Sequence, residues 1–110
     1  MSDNKKYNIL LICVNAMSSG FLVEKMKKAA EKKGVDVNIE AVAGWGFKEK
    51  DFSKLDLVML SPQVRHYKKE VDLIASKYNV PVTVIDFQTY GLVDGEKSLE
   101  LALKALEQAK

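Results

Sequence analysis

Short apolar runs alternate with amphipathic stripes along this chain, and that alternation leaves few folds open. Segment 8–13 (NILLIC) is almost continuously apolar, as a strand covered on both faces must be. Segments 56–61 (DLVMLS) and 82–86 (VTVID) read the same way. Segment 35–42 alternates Val35, Val37, Ile39 and Ala41, a strand with one wetter face. Between these runs the apolar period lengthens to that of a helix. Leu22, Val23, Met26, Ala29 and Ala30 form one stripe over 18–33, and Gly34 supplies a stop. Past Pro62, a second stripe joins Val64, Tyr67, Val71, Ile74, Ala75 and Tyr78. Asp94 can cap a last helix carrying Leu99, Ala102, Leu103 and Leu106. Segment 44–54 is short for a crossover helix, and a brief helix is expected over 49–53. Strands separated by helices imply right-handed crossovers, hence a parallel sheet with helices on both faces. The expected fold is an open α/β sheet of four parallel strands, ordered 2-1-3-4, in one domain over 1–110. Ligands of such sheets sit at the carboxyl ends of the strands where the order reverses, here beside the end of the first strand.

Composition excludes several classes of function. The chain is 47% hydrophobic and 29% charged, as expected of a soluble globular protein. Its 17 basic and 15 acidic residues are interspersed, so no basic face points to nucleic acid. The longest apolar run, 9–14, is far too short to span a bilayer, and no direct membrane insertion is expected. The first six residues are polar and unlike a secretory leader. The single cysteine cannot form an internal disulfide, which suits a reducing cytoplasm.

That cysteine, Cys13, ends the first strand. Segment 14–20 then reads as a loop into the helix, built from small and polar residues: Asn15, Ala16, Ser18, Ser19 and Gly20. The first turn of a helix has free N–H groups and the positive end of the dipole, and a small-residue loop lets them converge on an anion. The same field favours thiolate over thiol, so the sulfur is expected to be acidified by about one unit. A nucleophile and an anion cradle in one loop suit phosphoryl transfer through a phosphocysteine. A free cysteine closing a buried strand is equally well a small hydrophobe. The residues alone leave both roles open.

Three motifs together resemble the IIB components of bacterial sugar phosphotransferase systems, in the lactose/cellobiose class. The pattern Cys-x-x-Gly-Met-Ser-Thr-Ser, then Leu-Leu-Val and Lys-Met, is met by Cys13, Ala16, Met17, Ser18, Ser19 and Gly20, then Leu22, Val23, Lys25 and Met26. Gly-Pro-Gln-Val-Arg-Tyr is met by Ser61-Pro62-Gln63-Val64-Arg65-His66. Val-Ile-Asp followed by Tyr-Gly-x-Val-Asp-Gly is met by Val84-Ile85-Asp86 and Tyr90-Gly91-Leu92-Val93-Asp94-Gly95. Ala16, Ser61 and His66 depart from the pattern. The resemblance implies a flavodoxin-like sheet, similar to that of low-molecular-weight phosphatases. It implies a cytoplasmic relay without cofactor or metal. A histidine-phosphorylated IIA protein passes a phosphoryl group to Cys13, which donates it to a cellobiose-, chitobiose- or lactose-like sugar held by a membrane IIC protein. Val14, Asn15, Ala16, Met17, Ser18, Ser19 and Gly20 would bind the phosphoryl group, with Gln63, Arg65 and Tyr90 at the periphery.

Other residues carry weaker signals. His66, the only histidine, is expected to be solvated; Arg65 steers phosphate or is simply exposed. Asp94 is read as a helix cap rather than a base. Met17 is read as a partner contact, and Trp45, Phe47 and Phe52 as a satellite core. Rival functions have counter-signals. A tyrosine phosphatase of low molecular weight wants Cys-x5-Arg, and Ser19 stands in the arginine's place. A thiol redox protein wants Cys-x-x-Cys, and Ala16 stands at the second position. A receiver domain wants a carboxylate where Ser61 ends the third strand. A non-enzymatic flavodoxin-like binder of anions or flavin would need the cradle but not the thiol.

Overall fold

The computed structural model describes residues 5–109. The polar residues 1–4, and the side chains of Ala16 and Ser18 that were read into the cradle, lie outside the described residues. Four parallel strands form one sheet in the order β2-β1-β3-β4. They are β1 (Lys6–Cys13), β2 (Asp36–Ala43), β3 (Leu57–Leu60) and β4 (Val82–Val84). Four α-helices accompany them: α1 (Ala16–Lys33), α2 (Lys68–Ala75), α3 (Phe87–Gly91) and α4 (Gly95–Gln108). In register, Cys13 pairs with Ala43 on one side of β1, and Ile12 pairs with Leu60 on the other.

Alternation along the strands sends side chains to two cores. Ile9, Leu11, Leu57, Met59 and Ile85 meet Leu22, Val23 and Met26 of α1 and Ala102 and Leu106 of α4. Leu10, Ile12, Val58 and Leu60 face the other way, onto Phe47, Phe52, Val64, Val71 and Ala75. Full burial of each such side chain stabilises the fold by roughly 1.5–3 kcal/mol relative to exposure. This explains why the strand runs are so uniformly apolar. Phe47 and Phe52 belong to this second main core rather than to a satellite, while Trp45 stays largely exposed.

Several boundaries differ from the sequence expectation. The predicted helix over 49–53 is instead two 3-10 turns, Gly44–Glu49 and Phe52–Lys54. After Pro62 the chain also starts as a 3-10 turn, because Val64 leaves helical geometry (φ −115°, ψ 21°) to drop its side chain into the core. The helix predicted from residue 18 starts at Ala16. A five-residue helix, α3, lies between the fourth strand and the helix capped by Asp94, where no element was predicted.

Two glycines hold elements that frame the site. Gly34 ends α1 at φ 70°, and Val35 N–H bonds back to Ala30 O at 2.9 Å, a closure that favours glycine. Gly95 opens α4 where a Cβ would lie 2.5 Å from the backbone carbonyl carbon of Lys25. The first turn of α4 therefore lies directly on the backbone of α1.

Candidate functional site

Cys13 is the last residue of β1, and only Val14 and Asn15 separate it from α1. The segment read as a seven-residue loop is thus a two-residue hinge followed by helical turns. Asn15 is the N-cap: its backbone is extended, and its Oδ1 accepts from Met17 N–H at 3.0 Å. Asn15 meets an amide two residues on, so the helix starts ahead of the stripe predicted over 18–33. No carboxylate occupies the first turn of α1. Its open N–H groups and positive dipole end lie at the end of the strand that carries the thiol.

The thiol is fully buried, at 0% exposure. Its Sγ–H donates to Val42 O across to β2 at 3.3 Å. Hydrogen bonding from the Ser19 side chain and the Asn15 backbone N–H favours the charged form of the sulfur. Burial pushes the Cys13 thiol up, and these two hydrogen bonds only partly offset it. The acidified thiol expected from the sequence is therefore corrected: loss of water outweighs the Ser19 and Asn15 hydrogen bonds. The bond to Val42 O also favours the protonated form.

Ser19, itself buried, shares a hydrogen bond of 2.8 Å with the Tyr90 hydroxyl. Tyr90 comes from α3, not from a loop. Asp86 sets that helix: its carboxylate accepts from Thr89 N–H at 3.0 Å and from Thr89 Oγ1 at 2.7 Å. Those bonds hold the Asp86 carboxyl below its ordinary range. Asp86 and Thr89 were missed as site-framing residues, although an aspartate three residues before a threonine is a readable cap signal. Asp94 caps α4 through Lys97 N–H at 3.0 Å, as expected.

The structure thus brings Cys13, Asn15, Ser19 and Tyr90 together. Val14, next to Cys13 in sequence, and Met17, in the first turn of α1, are exposed, at 61% and 82%, and Gly20 is half-buried in α1. Gln63 and Arg65 are exposed on the 3-10 turn after β3 and, among the described residues, neither bonds the thiol or Ser19. Arg65 instead lies over the Phe87 ring at 5.3 Å. His66 is exposed and meets the edge of Tyr67. Ser61, buried beside the strand end, has an Oγ without a partner among the described residues. Two surface clefts lie elsewhere. One of about 340 Å³ runs along Lys25, Lys28, Leu92 and Gly95, and one of about 430 Å³ along Tyr7, Asp56, Tyr78 and Pro81. Neither is lined by Cys13.

A parallel, flavodoxin-like α/β sheet with a thiol under a helix N-terminus defines a class of proteins rather than one activity. The chain belongs, more narrowly, to the family described as the lactose/cellobiose-specific IIB subunit of the phosphotransferase system, which it matches over residues 8–101. It is 42% identical over 98 residues to the oligo-beta-mannoside-specific EIIB component of Bacillus subtilis (strain 168), covering 89% of this chain and 94% of that one. It is 39% identical over 103 residues to the cellobiose-specific EIIB component of Lactococcus lactis subsp. lactis (strain IL1403), covering 86% and 91%. The solution structure of the cellobiose-specific phosphotransferase IIB component from Borrelia burgdorferi superposes with a TM-score of 0.77 at 34% identity, over 97% of each chain.

Proposed function

We propose that this chain is a cytoplasmic phosphoryl carrier whose covalent site is Cys13. The observation that carries the reading is the placement of the buried thiol at the end of β1, against the Ser19 hydroxyl and the uncharged N-terminus of α1. A phosphohistidine of a IIA protein is the donor. The Cys13 sulfur attacks phosphorus, the S–P bond forms as the P–N bond breaks, and the freed histidine nitrogen takes the thiol proton. Burial keeps the sulfur protonated until such a base arrives. The Asn15 and Ser19 donors, with the α1 amides, then face the developing charge. In the second step a sugar hydroxyl, presented by a membrane IIC protein, attacks phosphorus. The S–P bond breaks and the hydroxyl proton passes to the departing thiolate. The sugar is of the cellobiose-, chitobiose- or lactose-like kind; similar IIB components are named for oligo-beta-mannosides, galactose and cellobiose. Hydrolysis of free phosphoesters is slow on this reading, because Ser19 stands where a phosphatase has its arginine.

The test is to incubate the protein with phosphoenolpyruvate, the general relay proteins and a cognate IIA, then map the label by mass spectrometry. The label is expected on Cys13 alone. Label on His66, or full labelling of Cys13→Ser, would sink the proposal.

A further inference from the structure

A serine in the first turns of a helix has a default partner, the carbonyl four residues back, and a hydroxyl bonded there turns away from its surroundings. For Ser19 that carbonyl is Asn15 O, which already accepts Ser19 N–H at 3.2 Å. The Ser19 hydroxyl does otherwise. It lies 2.8 Å from the Tyr90 hydroxyl, and its hydrogen bonding is also what favours the charged form of the Cys13 sulfur. A hydroxyl has one proton. Once that proton is directed at the sulfur, Ser19 Oγ must be the acceptor from Tyr90. The result is a chain of donors, phenol to serine to sulfur, in which each bond polarises the next.

Tyr90 is well built to hold the far end. Its ring packs against the core formed by Ile9, Leu11 and Met26, so its hydroxyl has a fixed position. Its helix is pinned by Asp86 and Thr89. Ser19 and Tyr90 are 71 residues apart in sequence, so this contact forms only when β4 and α3 are in place. By contrast, the buried Ser61 hydroxyl, also beside the strand end, has no partner among the described residues.

We propose that Tyr90 is a positioning residue for the candidate nucleophile: its hydroxyl holds Ser19 Oγ in the orientation that donates to the Cys13 sulfur. Its effect on transfer rests on the phosphocysteine reading above, whereas its effect on the thiol does not. Tyr90→Phe removes one oxygen and keeps the ring. The measurement is the pH profile of Cys13 alkylation by iodoacetamide in the full chain, with a melting curve to check that the variant folds. Loss of the phenol donor is expected to move the apparent thiol pKa upward by about half a unit, and Ser19→Ala to move it further, by about one unit. Phosphoryl acceptance from IIA should fall about three- to tenfold in Tyr90→Phe. An alkylation profile that superposes on the wild type would overturn the proposal, whatever happens to acceptance. A shifted profile in a protein that takes no label on Cys13 would uphold the donor chain while removing the phosphocysteine reading.

Discussion

The β1–α1 and β4–α3 junctions are built alike and charged differently. In each, a parallel strand ends, an extended cap residue follows, and a helix begins. At β4–α3 the cap is Asp86, whose carboxylate accepts both Thr89 donors and brings its own negative charge to the helix end. At β1–α1 the cap is Asn15, which satisfies the Met17 amide without charge. The two caps are of similar strength. They differ in what remains for an incoming anion: the α3 end is already neutralised by Asp86, and the α1 end carries no carboxylate and lies beside a thiol. One junction has become a support and the other a candidate site, and the Ser19–Tyr90 bond joins them.

The sharpest way to break this comparison is to make the two caps the same. Asn15→Asp keeps a good cap, so the fold should survive with little change in melting temperature. It also places a carboxylate within a few ångströms of the incoming phosphoryl dianion. Repulsion in water is about 1 kcal/mol per pair of unit charges at 4 Å, and larger where water is excluded. Phosphoryl acceptance should fall about a hundredfold, or about 2.7 kcal/mol at 1.36 kcal/mol per decade. The reverse change, Asp86→Asn, should leave acceptance close to wild type. Equal acceptance in wild type and Asn15→Asp would remove the uncharged cap from the argument.

The frame of this comparison was legible from residue patterns, and its details were not. Strand order and the facing of the helices follow from doubly buried runs such as Leu10–Leu11–Ile12 and from Gly34 closing α1. The start of α1 was misread because Ser18 is a common cap residue and Gly20 resembles a loop, yet one asparagine–amide bond at Asn15 settles the matter. The helix α3 is a little over one turn long, so no apolar period could reveal it. The state of the thiol was misjudged for a different reason. Local sequence displays the donors, Asn15 and Ser19, but burial depends on segments distant in sequence, among them Val42 of β2, whose carbonyl meets the thiol.

A second prediction concerns what keeps the junctions apart. The turn from α3 into α4 carries Val93 at φ 51°, a region that β-branched residues avoid. It then sets Gly95 against the Lys25 backbone. Gly95→Ala must push α4 off α1, because the obstacle is backbone and cannot rotate away. Such overpacking costs about 1–3 kcal/mol, read as a drop of several degrees in melting temperature. An unchanged melting temperature would show that the α1–α4 contact does not fix the spacing of the two junctions.

The smallest expected effect is also the one that compares the junctions most directly, through the pH dependence of stability. The Asp86 carboxyl is lowered by the Thr89 N–H and hydroxyl, so folding favours its charged form. Its contribution is present above the unfolded carboxylate range and is lost as pH falls through the lower folded value. The Cys13 thiol is raised by burial, so folding favours its neutral form. Its contribution is present below the unfolded thiol value, about 8.5, and is lost as pH rises through the higher folded value. One junction therefore weakens in acid and the other in alkali. Denaturant midpoints measured across pH should show both slopes in the wild type. Asp86→Asn should flatten only the acid limb. Cys13→Ala should flatten only the alkaline limb, after allowance for the lysine and tyrosine titrations common to both proteins. If Cys13→Ala instead steepened the alkaline loss, the folded thiol would be the more acidic one. The helix end and the Ser19 donor would then outweigh burial, and the sulfur would rest as thiolate before any partner arrived.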